Sequence, residues 1–319
     1  MKKIFSTLLL SLLTFTTNAA EIKKVFISKV IDHPAINETE RGIVNYLIEN
    51  NDNIRKKLEL KITSAQGSPL LASQIATKFV SSNPDIVVGI GTISAQSLAK
   101  YALSGKTKLV FSSITDPVGA KLALPDNKLQ NNITGVSNFI DLEPQIALFK
   151  ETQPDMDTLG IIYNPSELNS YSINIKLEEI CPKYGIKLIK VGAIKTADVP
   201  QAALSLVGKI DAFFISNDNT ALSALPAIIT IANKNNIPVY VSDIDTVSQG
   251  ALLALGPDQY ELGVQTGKMI LSLLEGGDIS KMQIEYPVKT DLVINLKAAY
   301  ILGINIPKSV LKKATKAIR

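Results

Sequence analysis

With one cysteine, one histidine and no tryptophan in 319 residues, the chain lacks the side chains that several functions require. Cys181 has no second thiol to pair with, so no intrachain disulfide can form, even in an oxidising compartment. It follows Glu178-Glu179-Ile180 in a helical pattern and reads as a small buried hydrophobe rather than a reactive thiol. A single histidine, His33, and a single cysteine cannot supply the nitrogen and sulfur ligands of a typical zinc or iron site, so neither a metal nor a cofactor is expected. A Ser-His-Asp arrangement would have to use His33 itself. No GxxxxGK[ST] loop is present. Gly89-Ile90-Gly91 fails the dinucleotide spacing, because Ser94 stands at the third glycine.

Long apolar runs are also missing, apart from Ile4–Phe15, which is shorter than the roughly 20 residues a bilayer needs. That run follows Met1-Lys2-Lys3 and precedes Thr17-Asn18-Ala19, small at the −3 and −1 positions of a cleavage site. It therefore reads as a secretory signal peptide over residues 1–19. No cysteine follows it to carry a lipid. Without Lys2 and Lys3 the chain holds 31 basic and 29 acidic residues, and five of the basic ones (Lys308, Lys312, Lys313, Lys316, Arg319) fall in the last twelve positions. The body thus carries 26 basic against 29 acidic residues, which argues against a nucleic-acid groove. Residues 308–319 are expected to be a solvated, frayed basic tail.

Between these ends, short β-branched runs alternate with helical patterns. Strands are expected at Val25–Ile27, Leu58–Ile62, Ile86–Val88, Leu109–Phe111, Leu159–Tyr163, Ile186–Val191, Ala212–Ile215 and Val239–Val241. Helices are expected at Asn37–Glu49, from Ser68 to Val80, and at Ser94–Leu103, Leu168–Tyr184, Ala197–Val207 and Thr220–Asn235. Continuous apolar strands separated by helices indicate an α/β protein with parallel sheets covered on both faces. The halves look duplicated. Asp85, Ala95 and Ser97 superimpose on Asp211, Ala221 and Ser223, and Val110-Phe111-x-Ser113-x-x-Asp116 on Val239-Tyr240-x-Ser242-x-x-Asp245. Two similar lobes are expected.

Ligands of such sheets bind beyond the carboxyl ends of the strands. The loops there are Asp32-His33-Pro34, Gly89 to Gln96, Ser112 to Pro117, Asn164 to Ser170, Ser216 to Thr220 and Ser242 to Asp245. They hold short neutral donors and acceptors with a few carboxylates, and no lysine or arginine. Helix capping uses one residue per loop, here Asn219, Ser94 and Ser166 at least in part, and leaves the rest for a ligand. Helix N-termini attract a carboxylate, and Asp116, Asp218 or Asp243 can hold an ammonium, so an α-amino acid suits the set.

At these loops the chain resembles the ABC-transporter substrate-binding family whose members take up tryptophan and other aromatic amino acids. The resemblance runs from about Val25 to Ile306. It is carried by His33-Pro34-Ala35, Thr115-Asp116-Pro117-Val118-Gly119-Ala120, Ser205 to Asp211, Asp218-Asn219-Thr220-x-x-Ser223-Ala224-Leu225-Pro226 and Tyr260-x-x-Gly263-x-Gln265-Thr266-Gly267. It implies the type I periplasmic-binding-protein fold, with two lobes joined by three hinge crossings near Ser137-Asn138, Ser242–Asp245 and Gln283–Tyr286. The expected lobes are 20–137 plus 246–283, and 138–245 plus 284–307. The ligand contacts implied are His33, Thr92, Ser94, Gln96, Thr115, Asp116, Asn169, Ser170, Asn217, Asp218, Asn219 and Asp243. Ile244 and Asp245 depart from the family's pattern, in which a second acid and a small residue follow the first acid. No catalytic residue is implied. The resemblance points to a monomer that hands an amino acid to an ABC permease in the cytoplasmic membrane.

Three alternatives remain open at this point. A sugar-binding protein of the same fold would want aromatic plates, and the loops offer only nearby Phe139 and Tyr171. A periplasmic enzyme would have to use His33 with the carboxylates. A ligand-gated repressor would carry DNA-binding helices before Val25, where the signal pattern stands. The periplasmic form is expected to begin at Ala20 or Glu21 and to float free. N-terminal sequencing of cell fractions checks this, and a full-length membrane-embedded chain would contradict it.

Overall fold

The computed structural model describes residues 22–50 and 56–319, so the expected signal peptide lies outside the described residues. The first lobe contains β1 (Lys23–Lys29), α1 (Pro34–Glu49), β2 (Leu58–Ser64), α2 (Pro69–Ser81), β3 (Ile86–Ile90), α3 (Thr92–Leu103), β4 (Lys108–Ile114) and β5 (Ile133–Ser137). Its five strands lie in the order β2-β1-β3-β4-β5, all parallel. Burial follows from composition. Val25, Ile27, Val88 and Val110 face one cluster, and Phe26, Val87, Leu109 and Phe111 the other, so both faces are covered.

The second lobe continues with α4 (Glu143–Thr152), β6 (Thr158–Tyr163), α5 (Leu168–Ile180), β7 (Lys187–Gly192), α6 (Val199–Leu206), β8 (Ala212–Ile215), α7 (Asn219–Ser223), α8 (Leu225–Lys234), β9 (Val239–Val241) and β10 (Leu253–Gly256). The chain then returns to the first lobe for α9 (Gln259–Leu274). It ends in the second with β11 (Asp291–Asn295), α10 (Leu296–Ile301), α11 (Lys308–Lys313) and β12 (Lys316–Ile318). The second sheet runs β12-β11-β10-β9-β8-β6-β7, parallel except where β11 opposes β10. Its strands β7-β6-β8-β9-β10 repeat the order β2-β1-β3-β4-β5, so the duplication seen in the sequence is a duplication of topology.

Three expectations need correction. The second crossing does not fall at Ser242–Asp245. Those residues stay in the second lobe because a turn at Ile244–Gln249 feeds β10, which pairs with β9, and the chain crosses at Pro257-Asp258. Residues 246–256 therefore belong with the second sheet. The basic tail is folded: β12 pairs with β11 through Lys316 opposite Val293, and Lys313 Nζ lies 2.8 Å from Glu151. The helix expected at Thr220–Asn235 is two helices, α7 and α8, with Pro226 in the first turn of α8, where its missing N–H costs nothing. Cys181 is buried, and burial pushes its thiol up to about 11, as suits an inert core residue. Among the described residues no helix is long and apolar enough to cross a membrane.

α1 and α9 pack side by side in the same direction, glycine against glycine. A Cβ on Gly42 would sit 2.1 Å from the Tyr260 carbonyl oxygen, and one on Gly263 would sit 2.2 Å from that of Thr39. The contact matters for function, because α1 starts beside His33 and α9 starts at Gln259. Gly42→Ala or Gly263→Ala must push the helices apart. Each is expected to lower stability by about 1–3 kcal/mol, measured by urea unfolding. Unchanged midpoints in both variants would show that the pair tolerates separation.

Candidate functional site

The carboxyl ends of both sheets face each other across the cleft and enclose a narrow cavity. From the first lobe come His33, Ala35 and Ile36 at the start of α1, Gly91 and Thr92 at the start of α3, Ser113 and Thr115 from the end of β4, and Gln259 at the start of α9. Asn138 lies on the first crossing. The second lobe supplies Asn169 on α5, Asn217 and Asn219 after β8, Leu222 on α7 and Asp243 after β9. Thr115, Asn138 and Asn217 also line a small adjoining cavity. Half of its wall is apolar, from Phe139, Ile140, Leu142, Ile173 and Pro257, and Gln145 and Ser242 complete it. The second compartment is thus the less polar of the two.

Hydrogen bonds cross the cleft. Gln259 Nε2 donates to Asp243 Oδ1 at 2.8 Å, and Gln259 Oε1 accepts from Ser113 Oγ at 3.0 Å and from Thr39 Oγ1 at 3.2 Å. Ser113 takes a left-handed backbone, φ 54°, at the end of its strand. Asp243 is 2% exposed; burial, with neighbouring Asp245, pushes its carboxyl up to about 7. An ionised Asp243 without a cation is costly there, so the position favours a positively charged partner.

On the opposite wall His33, 5% exposed, places Nε2 3.2 Å from Asn219 Oδ1. Burial lowers the imidazole pKa below its usual value and outweighs the hydrogen bond to Asn219, so the ring is neutral. Its Nδ1 and Asn169 Oδ1 are buried without a protein partner. Further out, Ser172 Oγ donates to Asp116 Oδ2 at 2.9 Å across the cleft, and Lys176 Nζ sits 3.9 Å from the centre of the Phe139 ring.

Seven of the twelve residues expected from the sequence line the polar cavity: His33, Thr92, Thr115, Asn169, Asn217, Asn219 and Asp243. Five do not. Ser94 turns into the first-lobe core, 3.1 Å from Ser28 Oγ, and Gln96 donates to the Ala120 carbonyl. Each residue of a helix rotates the side chain by about 100°, which carries position 94 away from the face that holds Thr92, whereas Gln96 shares that face but sits one turn further from the cleft. Asp116 lies at the outer mouth and caps Gly119 N. Ser170 is buried behind the wall. Asp218 caps α7, accepting from Ala221 N at 2.7 Å and Asn164 N at 2.6 Å, and burial beside Glu167 raises its pKa. Capping therefore falls on Asp218 rather than Asn219. α3 begins after Gly91 with no side-chain cap, and α5 after Glu167.

Gln259, Ser113 and Asn138 complete the site without having been singled out. Ser113 stands in a polar loop already marked as a strand end. Gln259 gave no such signal, because the short strand before it, Leu253–Gly256, was not recognised. A larger depression of about 600 Å³, walled in part by Gln153, Asp211 and Pro238, lies at the amino ends of β6, β8 and β9. Polar side chains from both lobes converge in the cleft, which makes the cleft the candidate site.

Known proteins agree with this arrangement. The chain is 30% identical over 279 residues to a tyrosine-binding protein of Clostridioides difficile (strain R20291), covering 88% of this chain and 80% of that one. The crystal structure of an ABC domain in complex with L-Trp from Streptococcus pneumonia matches with a TM-score of 0.86 at 30% identity, over 93% of this chain and 100% of that one. The ligand-free, open structure of a substrate-binding protein with adhesive properties from Clostridium difficile matches with a TM-score of 0.69 at the same 30% identity, over 93% and 99%. The higher score with the ligand-bound protein accords with the bonds that hold the present lobes together. Residues 24–318 match the family described as ABC transporter substrate binding protein. The chain belongs to the ABC transporter substrate-binding protein family.

Proposed function

We propose that the protein is the exported binding component of an ABC importer, and that it captures an α-amino acid with an aromatic or large apolar side chain. One observation carries this reading. The cleft sets the uncapped start of α3, at Gly91 and Thr92, against the buried Asp243, with Phe139, Ile140, Leu142, Ile173 and Pro257 lining one half of the compartment alongside. The first suits a carboxylate, the second an ammonium, and the third a side chain. The tyrosine-binding and L-Trp-bound relatives support the same class of ligand. The protein performs no chemistry. A ligand that touches both lobes favours the closed state, and the permease reads that shape outside the cytoplasm.

Calorimetry with L-tryptophan and L-tyrosine tests the reading. Asp243→Ala should weaken binding tens- to thousands-fold, about 2–5 kcal/mol, while the melting curve of the free protein stays cooperative. Thr92→Val should cost less, about 1–3 kcal/mol, because the helix N–H groups remain. Unchanged affinity in Asp243→Ala would remove that residue from the site.

Binding should also compact the protein. Small-angle scattering is expected to show a smaller radius of gyration with ligand. Superimposable curves with and without a bound amino acid would exclude capture by closure.

A further inference from the structure

Two topologically equivalent helices reach the cavity in different states. In the first lobe α3 follows β3 and starts without a side-chain cap. In the second, α7 follows β8, and its first N–H groups are taken. Asn219 N and Thr220 N donate to Glu167 at 3.1 Å each, and Ala221 N donates to Asp218. Glu167 comes from the neighbouring β6–α5 loop and is 3% exposed. Its oxygens also accept from Thr220 Oγ1 at 2.7 Å, Asn219 Nδ2 at 2.6 Å and Asn169 Nδ2 at 3.0 Å. Every partner is a donor.

The consequence reaches the cavity through the two asparagines. Once an amide commits its NH₂ to Glu167, its carbonyl oxygen must serve the other side. Asn169 Oδ1 is left buried and without a protein partner. Asn219 Oδ1 meets His33 Nε2. An amide oxygen only accepts, so Nε2 carries the ring proton. The neutral imidazole then keeps Nδ1 bare, and Nδ1 is likewise buried and unpartnered. A buried acceptor left unmade is costly, and both of these belong to residues that line the cavity together with the Asp243 carboxylate.

We propose that Glu167 sets the polarity of the ligand seat: by plugging α7 and holding the amides of Asn169 and Asn219, it makes this part of the wall, with His33 Nδ1, a patch of acceptors. The wall then receives a donor-only group, a primary ammonium, and refuses a carboxylate, which is left to α3. The anion seat lies at the start of α3 and the cation seat among Asn169, Asn219 and Asp243 of the second lobe with His33 of the first, so an amino acid can lie in only one direction. Glu167 is a positioning residue that acts through Asn169, Asn219 and His33. The ligand class rests on the amino-acid reading above, whereas the orientation of the amides does not.

The single histidine makes the test clean, since histidine labelled with nitrogen-15 gives one imidazole. In protein saturated with L-tryptophan, Nε2 is expected to be protonated and Nδ1 bare. The opposite tautomer would overturn the proposal, and this measurement needs no variant. Calorimetry then compares L-tryptophan with indole-3-propionate, which lacks the ammonium. The native protein should prefer tryptophan by about 100-fold or more, the scale of a lost buried charge contact. Glu167→Ala should shrink that preference by about tenfold or more. An equal loss for both ligands, with the ratio unchanged, would make Glu167 a scaffold residue and overturn the proposal. If no amino acid binds, the ligand reading alone falls. The Asn169 and Asn219 side-chain amide protons of the free protein then decide for Glu167: slow exchange that is lost in Glu167→Ala supports it, and fast exchange in the native protein refutes it.

Discussion

A helix that follows a parallel strand begins with N–H groups that nothing inside the helix can accept, and what becomes of those groups organises this molecule. The parallel strands of both five-stranded repeats point their carboxyl ends, and the helix starts that follow most of them, toward the same edge of each sheet, and the two edges face each other. Some starts are closed by their own loops, as Ser68 closes α2 and Asp258 closes α9. α7 is closed from a neighbouring loop by Glu167. The start of α3 stays without a side-chain cap, and it opens onto the cavity. The chemistry of the cleft is what remains after capping has taken its share.

Closure draws on a few bonds of modest strength. Gln259 to Asp243, His33 to Asn219 and Ser172 to Asp116 span the lobes, and a net hydrogen bond contributes only about 0.5–1.5 kcal/mol. A ligand that satisfied the bare His33 Nδ1 and Asn169 Oδ1 would stabilise the closed form alone, which is the condition for a ligand-driven shift. The glycine contact between α1 and α9 keeps His33 and Gln259, both of the first lobe, in fixed relation.

Much of this was legible in the residues. Continuous apolar strands such as Ile86–Val88 announced parallel sheets, and the polar strand-end loops located His33, Thr92, Thr115, Asn169, Asn217, Asn219 and Asp243. What failed did so for physical reasons. Residue type marks a loop as polar but does not say where the following helix starts or turns, so Ser94 and Gln96 look like cleft residues, whereas Ser94 faces the core and Gln96 lies one turn further from the cleft. The choice between Asp218 and Asn219 as cap depends on one residue of register in backbone geometry. Gln259 follows a strand of four residues, Leu253–Gly256, too short to show a period. The basic end looked solvated because its lysines hide an edge strand that pairs with β11.

The order in which the chain visits its lobes has a consequence for how the protein comes into being. The first lobe needs α9 to cover α1, and the second needs β11 and β12 to complete its sheet, yet all three come after both lobes have otherwise been laid down. As the chain emerges from a ribosome, or threads through a pore, neither lobe can bury its full core until the stretch from Gln259 onward is free. Until then the first lobe exposes the apolar face of α1, including Ile43 and Leu47, and the second leaves one side of β10 unpaired. A chain built in this order completes both cores only with its C-terminal stretch in place.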